Sequence, residues 1–168
     1  RPRIRGNQLA SRAETILLVA SEGGSTWGFA ATLHAVLTRA GQSVHVSPMS
    51  GFAPERYARA TRVIVLAATY GDGAAPATAK GFLDRLCALG RAPDMPLAVL
   101  GFGDRSFPAY CTFAKVVAAA AQAKGWAELL PLDTVDRQSP QDFARWGRAL
   151  GDALGFDLEL SHHPVLPT

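Results

Sequence analysis

The sequence predicts an α/β protein in which a parallel sheet is covered by helices on both faces. Short apolar runs of strand length alternate along the whole chain with longer segments of helical periodicity. Although 43–47 alternates like a more exposed strand, the clearest strand-like runs, Thr15–Ala20 and Arg62–Ala68, are apolar almost without interruption. Such strands need burial on both faces, and strands that alternate with helices form parallel sheets with right-handed crossovers.

Five strands and four helices follow from these patterns. The strands are predicted at Thr15–Ala20, 43–47, Arg62–Ala68, 97–101 and 128–132. The helices are predicted at 27–40, 75–89, 109–124 and 141–154. Glycines at 41, 90 and 125 suit the ends of the first three helices, and Ser139-Pro140 is a typical helix start.

Length and composition fit one folded domain. The chain has 168 residues, 48% of them hydrophobic, and two cysteines, which excludes intrinsic disorder and a disulfide framework. The net charge of +3 arises in residues 1–12, which carry four arginines and no acid. We therefore divide the chain into a basic linker or arm (1–12), one domain (13–155) and a C-terminal linker (156–168), in a cytoplasmic setting.

Three loops follow the first, third and fourth predicted strands, where open parallel sheets bind their ligands. Residues 21–26 (SEGGST) combine two glycines with three hydroxyl side chains before a predicted helix, whose free N–H groups favour an anion. Residues 68–73 (ATYGDG) and 101–111 (GFGDRSFPAYC) place aromatic rings beside glycines, which suits a planar ligand. Taken singly, each loop is also explained as a helix cap, a turn or a cover of the core edge.

Together these loops resemble the FMN-binding, flavodoxin-like domain of diflavin reductases such as sulfite reductase flavoprotein and cytochrome P450 reductase. The resemblance covers about residues 14–154, and its most specific parts are 69–73, 100–108 and the late Asp136…Phe143…Trp146. It implies FMN as cofactor and a three-layer flavodoxin-like sandwich with strand order 2-1-3-4-5. It also implies a partner domain that binds FAD and NADPH, expected in the same full-length chain.

The resemblance assigns cofactor-binding roles to residues of all three loops, and no catalytic or metal-binding residue. Implied around the phosphate are Ser21, Glu22, Gly23, Gly24, Ser25 and Thr26. Implied around the isoalloxazine are Thr69, Tyr70, Gly71, Gly73, Gly101, Gly103, Asp104, Phe107 and Asp136, with Asp133 as a rival of Asp136. Tyr70 is expected to stack on one face of the ring, and Phe107 takes the place of a second stacking tyrosine.

The first loop departs from the related pattern Ser-Gln-Thr-Gly at two positions. Glu22 replaces the glutamine, and Gly23 replaces the threonine and so removes one hydroxyl donor. A carboxylate at position 22 would repel a phosphate unless its side chain points outward, so these two changes would weaken the phosphate site.

The resulting hypothesis is an FMN electron-transfer domain that relays electrons from the NADPH/FAD reductase module to an unknown acceptor. Two alternatives are a docking or structural module that has lost flavin binding, and a free-standing flavodoxin. The arginines at the start would suit the cytoplasmic face of the inner membrane, after a membrane segment N-terminal to this chain. We expect no nucleic-acid partner, since no basic face with interleaved aromatic residues accompanies them. We expect acids to outnumber arginines at the loop edge, and this negative charge would lower the second reduction potential of the flavin. The acids are Glu22, Asp72, Asp104, Asp133 and Asp136, and the arginines are Arg105 and Arg137.

Overall fold

The computed structural model describes residues 4–70 and 72–164. Its strands are β1 (Thr15–Ala20), β2 (Val44–Pro48), β3 (Arg62–Ala68), β4 (Leu97–Gly103) and β5 (Asp133–Asp136). Its helices are α1 (Gly24–Arg39), α2 (Lys80–Ala88), α3 (Thr112–Lys124) and α4 (Pro140–Leu154). Short 3-10 turns lie at Met49–Gly51, Pro54–Arg56 and Ala77–Ala79.

All five strands pair in parallel in the order β2-β1-β3-β4-β5, which confirms the predicted fold class and strand order. Alternate strand residues belong to two separate hydrophobic cores, one on each face of the sheet. Ile16 and Val65 belong to the core that includes residues of α2 and α3, whereas Leu17 and Ile64 belong to the core that includes residues of α1 and α4. The sheet is therefore the middle layer of a three-layer sandwich.

The last strand does not lie where the sequence predicted it. Residues 128–132 form only one bridge, between Glu128 and Leu97, while β5 begins at Asp133 and pairs with β4 from Leu100 onward. The apolar residues Leu129 and Leu130, which suggested a strand, instead pack partly buried against the core. The strand itself, DTVD, has one apolar side chain and so gives no buried-strand signal.

Helix starts also differ from prediction by several residues. The second helix was expected from residue 75, but 3-10 turn Ala77–Ala79 precedes α2 at Lys80. The third was expected from residue 109, but Cys111 has a φ of +52° and α3 begins only at Thr112. A left-handed residue cannot belong to a right-handed helix, so Cys111 sets this boundary.

The described parts of both predicted linkers contact the domain. At the start, the Asn7 side chain hydrogen-bonds the backbone of Val46 in β2. At the end, Leu158 and Leu160 are buried in the same core as α1 and α4. The segment 156–163 thus differs from the free linker that the sequence suggested, because Gly147 and Gly151 on α4 leave room for it.

Within residues 4–70 and 72–164, no helix has both the length and the apolar character needed to cross a membrane. The same residues contain no group of three or more potential metal ligands.

Candidate functional site

The C-terminal ends of β1, β3, β4 and β5 border a cavity of about 370 Å³. It brings together residues from all three loops that the sequence singled out. Eight predicted site residues line it: Ser21, Gly23, Ser25, Thr26, Thr69, Tyr70, Gly103 and Asp104. Four lining residues were absent from the predicted set: Ala68, Phe102, Arg137 and Gln138.

The first loop forms one wall of the cavity and leads directly into α1. Gly23 precedes the helix in an extended conformation, and no side chain caps the N-terminus. Ser21 hydrogen-bonds the Gly23 backbone at 3.2 Å, and the hydroxyl residues Ser25 and Thr26 occupy the first helical turn. A Cβ added at Gly23 or Gly24 would meet no described atom within 4 Å, so the backbone is open there. Such a helix start favours an anion.

Glu22 ties the first loop to the second. Its carboxylate Oε1 accepts a hydrogen bond from the backbone N–H of Ala77 at 2.9 Å, and Glu22 is not part of the cavity wall. Its own backbone N–H donates to the Tyr70 hydroxyl at 2.7 Å. The Glu22 carboxylate is therefore engaged by the backbone of Ala77 rather than directed into the cavity.

The second loop turns tightly after β3. Gly73 donates its N–H to the Tyr70 carbonyl at 2.8 Å and has a φ of +88°, a conformation that suits glycine. A Cβ at Gly73 would lie 2.9 Å from the Ala109 Cβ, so the second and third loops approach closely here. Thr69 accepts a hydrogen bond from the Phe113 N–H through its hydroxyl at 3.0 Å, which fixes α3 against the site. The predicted Gly71 lies outside the described residues.

The third loop is held by the end of β5. Asp136 Oδ1 accepts the N–H of Arg105 at 2.9 Å, and the Arg137 N–H donates to the Gly103 carbonyl at 2.8 Å. Asp104 Oδ1 accepts both the N–H and the hydroxyl of Ser106. Asp136, a predicted site residue outside the lining of either site cavity, thus positions the wall rather than forming it.

Both carboxyl groups at this loop are favoured in their ionised form. The hydrogen bonds from Ser106 lower the pKa of Asp104, with a smaller contribution from Arg137. The backbone N–H of Arg105 and the guanidinium of Arg137 lower the pKa of Asp136. Two negative charges therefore stand next to the cavity at neutral pH.

A smaller cavity of about 180 Å³ adjoins the first along Tyr70, Gly103 and Asp104. Phe107 lines it and is 47% exposed, so its ring lies at the surface of the site. Cys111 is buried there, and burial raises the pKa of its thiol to about 11. The thiol is thus protonated at neutral pH.

Gly101, predicted to contact the cofactor, lies where α3 packs on β4. A Cβ at this position would lie 2.7 Å from the Ala114 Cβ and 3.2 Å from the Cys111 Cβ. The glycine therefore allows α3 to pack closely on β4, and it belongs to neither cavity wall.

Ion pairs with arginines compensate much of the negative charge expected at the loop edge. Arg137 Nη2 lies 2.9 Å from Asp136 Oδ2, and Arg137 Nε lies 3.9 Å from Asp104 Oδ1. Asp133 pairs with Arg145, which also pairs with Asp142. Sequence counting could not reveal these partners, because Arg145 is on α4 and meets Asp133 only in the fold.

The fold and the cavity define a class: an open parallel α/β domain with an anion-favouring helix start and an aromatic-bordered pocket at the strand ends. The chain matches the flavodoxin family model (Flavodoxin) over residues 17–146, and it therefore belongs to the flavodoxin family. FMN is the cofactor that this family binds.

Curated relatives are longer proteins. The chain is 29% identical over 136 residues to the sulfite reductase [NADPH] flavoprotein alpha-component of Bacillus subtilis, covering 79% of this chain and 22% of that protein. It is 28% identical over 149 residues to the inducible nitric oxide synthase of Oncorhynchus mykiss, covering 86% of this chain and 32% of that protein. This chain thus spans about a quarter of the length of such relatives.

Solved structures with the same fold are flavodoxins. Oxidised flavodoxin 1 from Bacillus cereus superposes with a TM-score of 0.71 at 20% identity, covering 84% of this chain and 97% of that one. Flavodoxin 2 from the same organism gives 0.67 at 24% identity, covering 86% and 97%.

The residues present fit FMN. An open, hydroxyl-rich helix start suits the phosphate, and the Tyr70 ring borders both parts of the cavity beside the N–H and C=O groups of two loops. The Glu22 carboxylate, which could have opposed a phosphate, hydrogen-bonds Ala77 instead.

Proposed function

We propose that this domain binds FMN in the cavity at the strand ends and carries electrons between a reductase module and an acceptor. The observation that carries the proposal is the convergence of the α1 start, Tyr70 and the third loop on one cavity. Bound FMN supplies the redox chemistry, taking up and passing on electrons one at a time. The protein's part is to hold the cofactor, orient it and set its electrostatic surroundings.

The phosphate is assigned to the start of α1. The donors available on this wall are the backbone N–H groups at the first turn and the hydroxyls of Ser25 and Thr26, whereas the Ser21 hydroxyl donates to the Gly23 carbonyl. Each hydrogen bond to a charged group contributes about 1.5–3 kcal/mol. Gly23 keeps the approach to the backbone open, in compensation for the hydroxyl that a threonine would have supplied.

The isoalloxazine is assigned to the region between the second and third loops. Tyr70 is half-buried, and its hydroxyl is fixed by the Glu22 N–H, which restricts the ring to one orientation. Phe107 stands on the adjoining side, where a hydrocarbon ring at the surface can cover the flavin edge. Stacking on aromatic rings stabilises a flat ligand and keeps water from it.

The partner that we propose is an FAD- and NADPH-binding reductase module in the same full-length chain. The support is that the sulfite reductase relatives are named as NADPH flavoproteins and are several times longer than this chain. A cytoplasmic location and a membrane segment before residue 1 stay predictions. A free-standing carrier would use the same cavity with a separate reductase.

Titration with two flavins tests the proposal. The apoprotein is titrated with FMN and with riboflavin, which lacks the phosphate, and quenching of flavin fluorescence gives each Kd. We expect FMN to bind at least about 100-fold more tightly, the equivalent of two charge-assisted hydrogen bonds. A folded protein that binds neither flavin would instead identify a docking or structural module.

Single substitutions then locate the site. Tyr70→Ala should weaken FMN binding by about 1–3 kcal/mol through lost stacking and burial. The matched control is Val116→Ala on α3, a 45% exposed side chain outside the walls of both site cavities, which should leave the Kd unchanged. Equal effects of the two substitutions would remove Tyr70 from the site.

Reduction by NADPH tests the partner. Under anaerobic conditions, NADPH alone should leave the FMN of the isolated domain oxidised. Adding the FAD/NADPH-binding module of a sulfite reductase flavoprotein should bleach the FMN absorption as electrons pass from NADPH through FAD. Direct bleaching by NADPH alone would contradict the relay.

A further inference from the structure

The segment after β5 adopts an unusual backbone conformation at the cavity wall. Arg137 and Gln138 have φ values of +47° and +58°, although both carry side chains. Left-handed conformations are unfavourable for such residues and persist where the surrounding structure imposes them. Here hydrogen bonds from Arg137 N–H to Gly103 and from Ser139 N–H to Asp136 hold the turn. Both left-handed residues line the cavity.

This turn brings one cation to two anions at the edge of the cavity. The Arg137 side chain is 61% exposed, whereas that of Asp136 is 15% exposed. Arg137 bonds Asp136 through both Nε and Nη2, and its Nε lies 3.9 Å from Asp104. The three side chains carry a net charge of −1, and without the guanidinium they would carry −2.

We infer that Arg137 sets the reduction potential of the flavin in this cavity, by compensating the charges of Asp104 and Asp136. The inference rests on the proposed function and names a residue that tunes it. Reduction adds negative charge to the flavin, so uncompensated carboxylates nearby oppose it and a guanidinium favours it. The oxidised isoalloxazine is neutral, so the same charges affect its binding much less. Arg137 is thus a positioning and tuning residue, distinct from those that hold the cofactor.

The charges at the loop edge lie at unequal distances from the cavity. Five acids against two arginines favoured a low second potential, but that count treated all charges as equal. Among them, Arg137 and Asp104 line the cavity, whereas Glu22, Asp72 and Asp133 do not. The charge nearest the bound flavin is therefore governed by one ion-paired cluster rather than by the total.

Redox titration of Arg137→Gln tests the inference. The FMN-loaded wild type and variant are reduced with dithionite under anaerobic conditions in the presence of reference dyes, which gives both one-electron potentials. We expect the second potential of Arg137→Gln to be more negative by about a tenfold change in the equilibrium constant, ~59 mV for one electron. The shift should shrink at high ionic strength, because the cluster is partly exposed. Arg137→Lys should retain most of the wild-type potential.

Arg145→Gln is the matched control, since Arg145 also bridges two acids but does not line either site cavity. It should shift the second potential by less than a third of the Arg137→Gln shift. A structural role of Arg137 would change the free energy of unfolding but leave the potential in place. Equal potentials in wild type and Arg137→Gln, with FMN bound to both, would overturn the inference alone. Failure of the wild type to bind FMN would reject the proposed function and this inference together.

Discussion

Tyr70 and Glu22 show how single side chains connect loops that are far apart in sequence. The Tyr70 hydroxyl accepts the Glu22 N–H, and the Glu22 carboxylate accepts the Ala77 N–H. Glutamate at position 22, where relatives have glutamine, thereby joins two chain segments beside the cavity without turning its charge into the cavity. A glutamine oxygen could accept the same hydrogen bond, so the exchange preserves the geometry of the loop.

Tyr70→Phe separates the hydroxyl from the ring. The variant loses the 2.7 Å hydrogen bond with the first loop but keeps the aromatic surface. We expect FMN binding to weaken by about 0.5–1.5 kcal/mol, roughly two- to thirteenfold in Kd, because the loop N–H loses its partner. Fluorescence titration measures this, and Val116→Ala again serves as control. An effect as large as that of Tyr70→Ala would show that the ring itself contributes little.

At the scale of elements, α1 is tied to β2 by a buried histidine. His34 is 2% exposed, and its Nε2 lies 3.2 Å from the Val44 carbonyl, an arrangement in which Nε2 carries the proton. Burial lowers the pKa of His34 below its ordinary value of 6.5. The folded protein therefore disfavours the charged imidazole at this position.

His34 should make stability depend on pH in the mildly acidic range. Below pH 6.5 the unfolded chain binds a proton that folded His34 resists, so the free energy of unfolding falls with pH until the folded pKa is passed. Urea denaturation at several pH values between 7.5 and 5 measures the slope. His34→Gln should reduce this slope, and the remainder belongs to groups such as His162, whose pKa is also lowered by burial. An equal slope in wild type and His34→Gln would assign the pH dependence to other groups.

Two helical glycines, Gly151 in α4 and Gly81 in α2, differ in the space around them. A Cβ at Gly151 in α4 would lie 2.5 Å from the Phe156 carbonyl oxygen and 3.0 Å from the Leu158 N, and backbone atoms cannot easily move aside. A Cβ at Gly81 in α2 would meet nothing closer than 3.9 Å, at the Arg85 side chain. The first glycine is required by the chain segment that crosses α4, and the second is not.

Alanine should therefore have opposite effects at the two glycines. Gly151→Ala should lower the free energy of unfolding by about 1–3 kcal/mol through overpacking, even though alanine favours helix. Gly81→Ala should raise it by about 0.5–1 kcal/mol through lower unfolded-state entropy. Thermal and urea denaturation of both variants measure these changes. A stabilised Gly151→Ala variant would mean that residues 156–158 do not pack as described.

For the molecule as a whole, burial patterns predicted most of the sheet, because β1, β3 and β4 are apolar runs and β2 alternates like a more exposed strand. The loops after β1, β3 and β4 could be found for the same reason, since they begin where those runs stop. β5 could not be found: DTVD is held by pairing with β4 rather than by apolar content. Misplacing β5 also concealed Arg137 and Gln138 as lining residues, because their backbone conformation depends on where that strand ends.

The packing of the N-terminal segment could not be predicted from the sequence either. Residues 4–12 read as an arm because their charge and lack of periodicity give no sign of a partner. In the fold, Asn7 and Gln8 lie beside β2, which pairs with β1 on one side and is otherwise the edge of the sheet. Gln8 N–H donates to the Val44 carbonyl at 3.0 Å, and Asn7 both donates to and accepts from the Val46 backbone. The Asn7 amide side chain thus satisfies the two Val46 backbone groups that a neighbouring strand would otherwise pair with.

Asn7→Ala should uncover this edge. The variant loses the 2.7 Å and 3.0 Å hydrogen bonds to Val46, so we expect the free energy of unfolding to fall by about 1–3 kcal/mol. The freed N–H and C=O of Val46 can then pair with another chain, so self-association should increase with concentration in analytical ultracentrifugation. Gln8→Ala is the control, because it loses only an exposed 3.4 Å side-chain bond to Gly6 and keeps its backbone bond to β2. If Asn7→Ala stays as stable and monodisperse as the wild type and Gln8→Ala, the Asn7 side chain does not protect the edge.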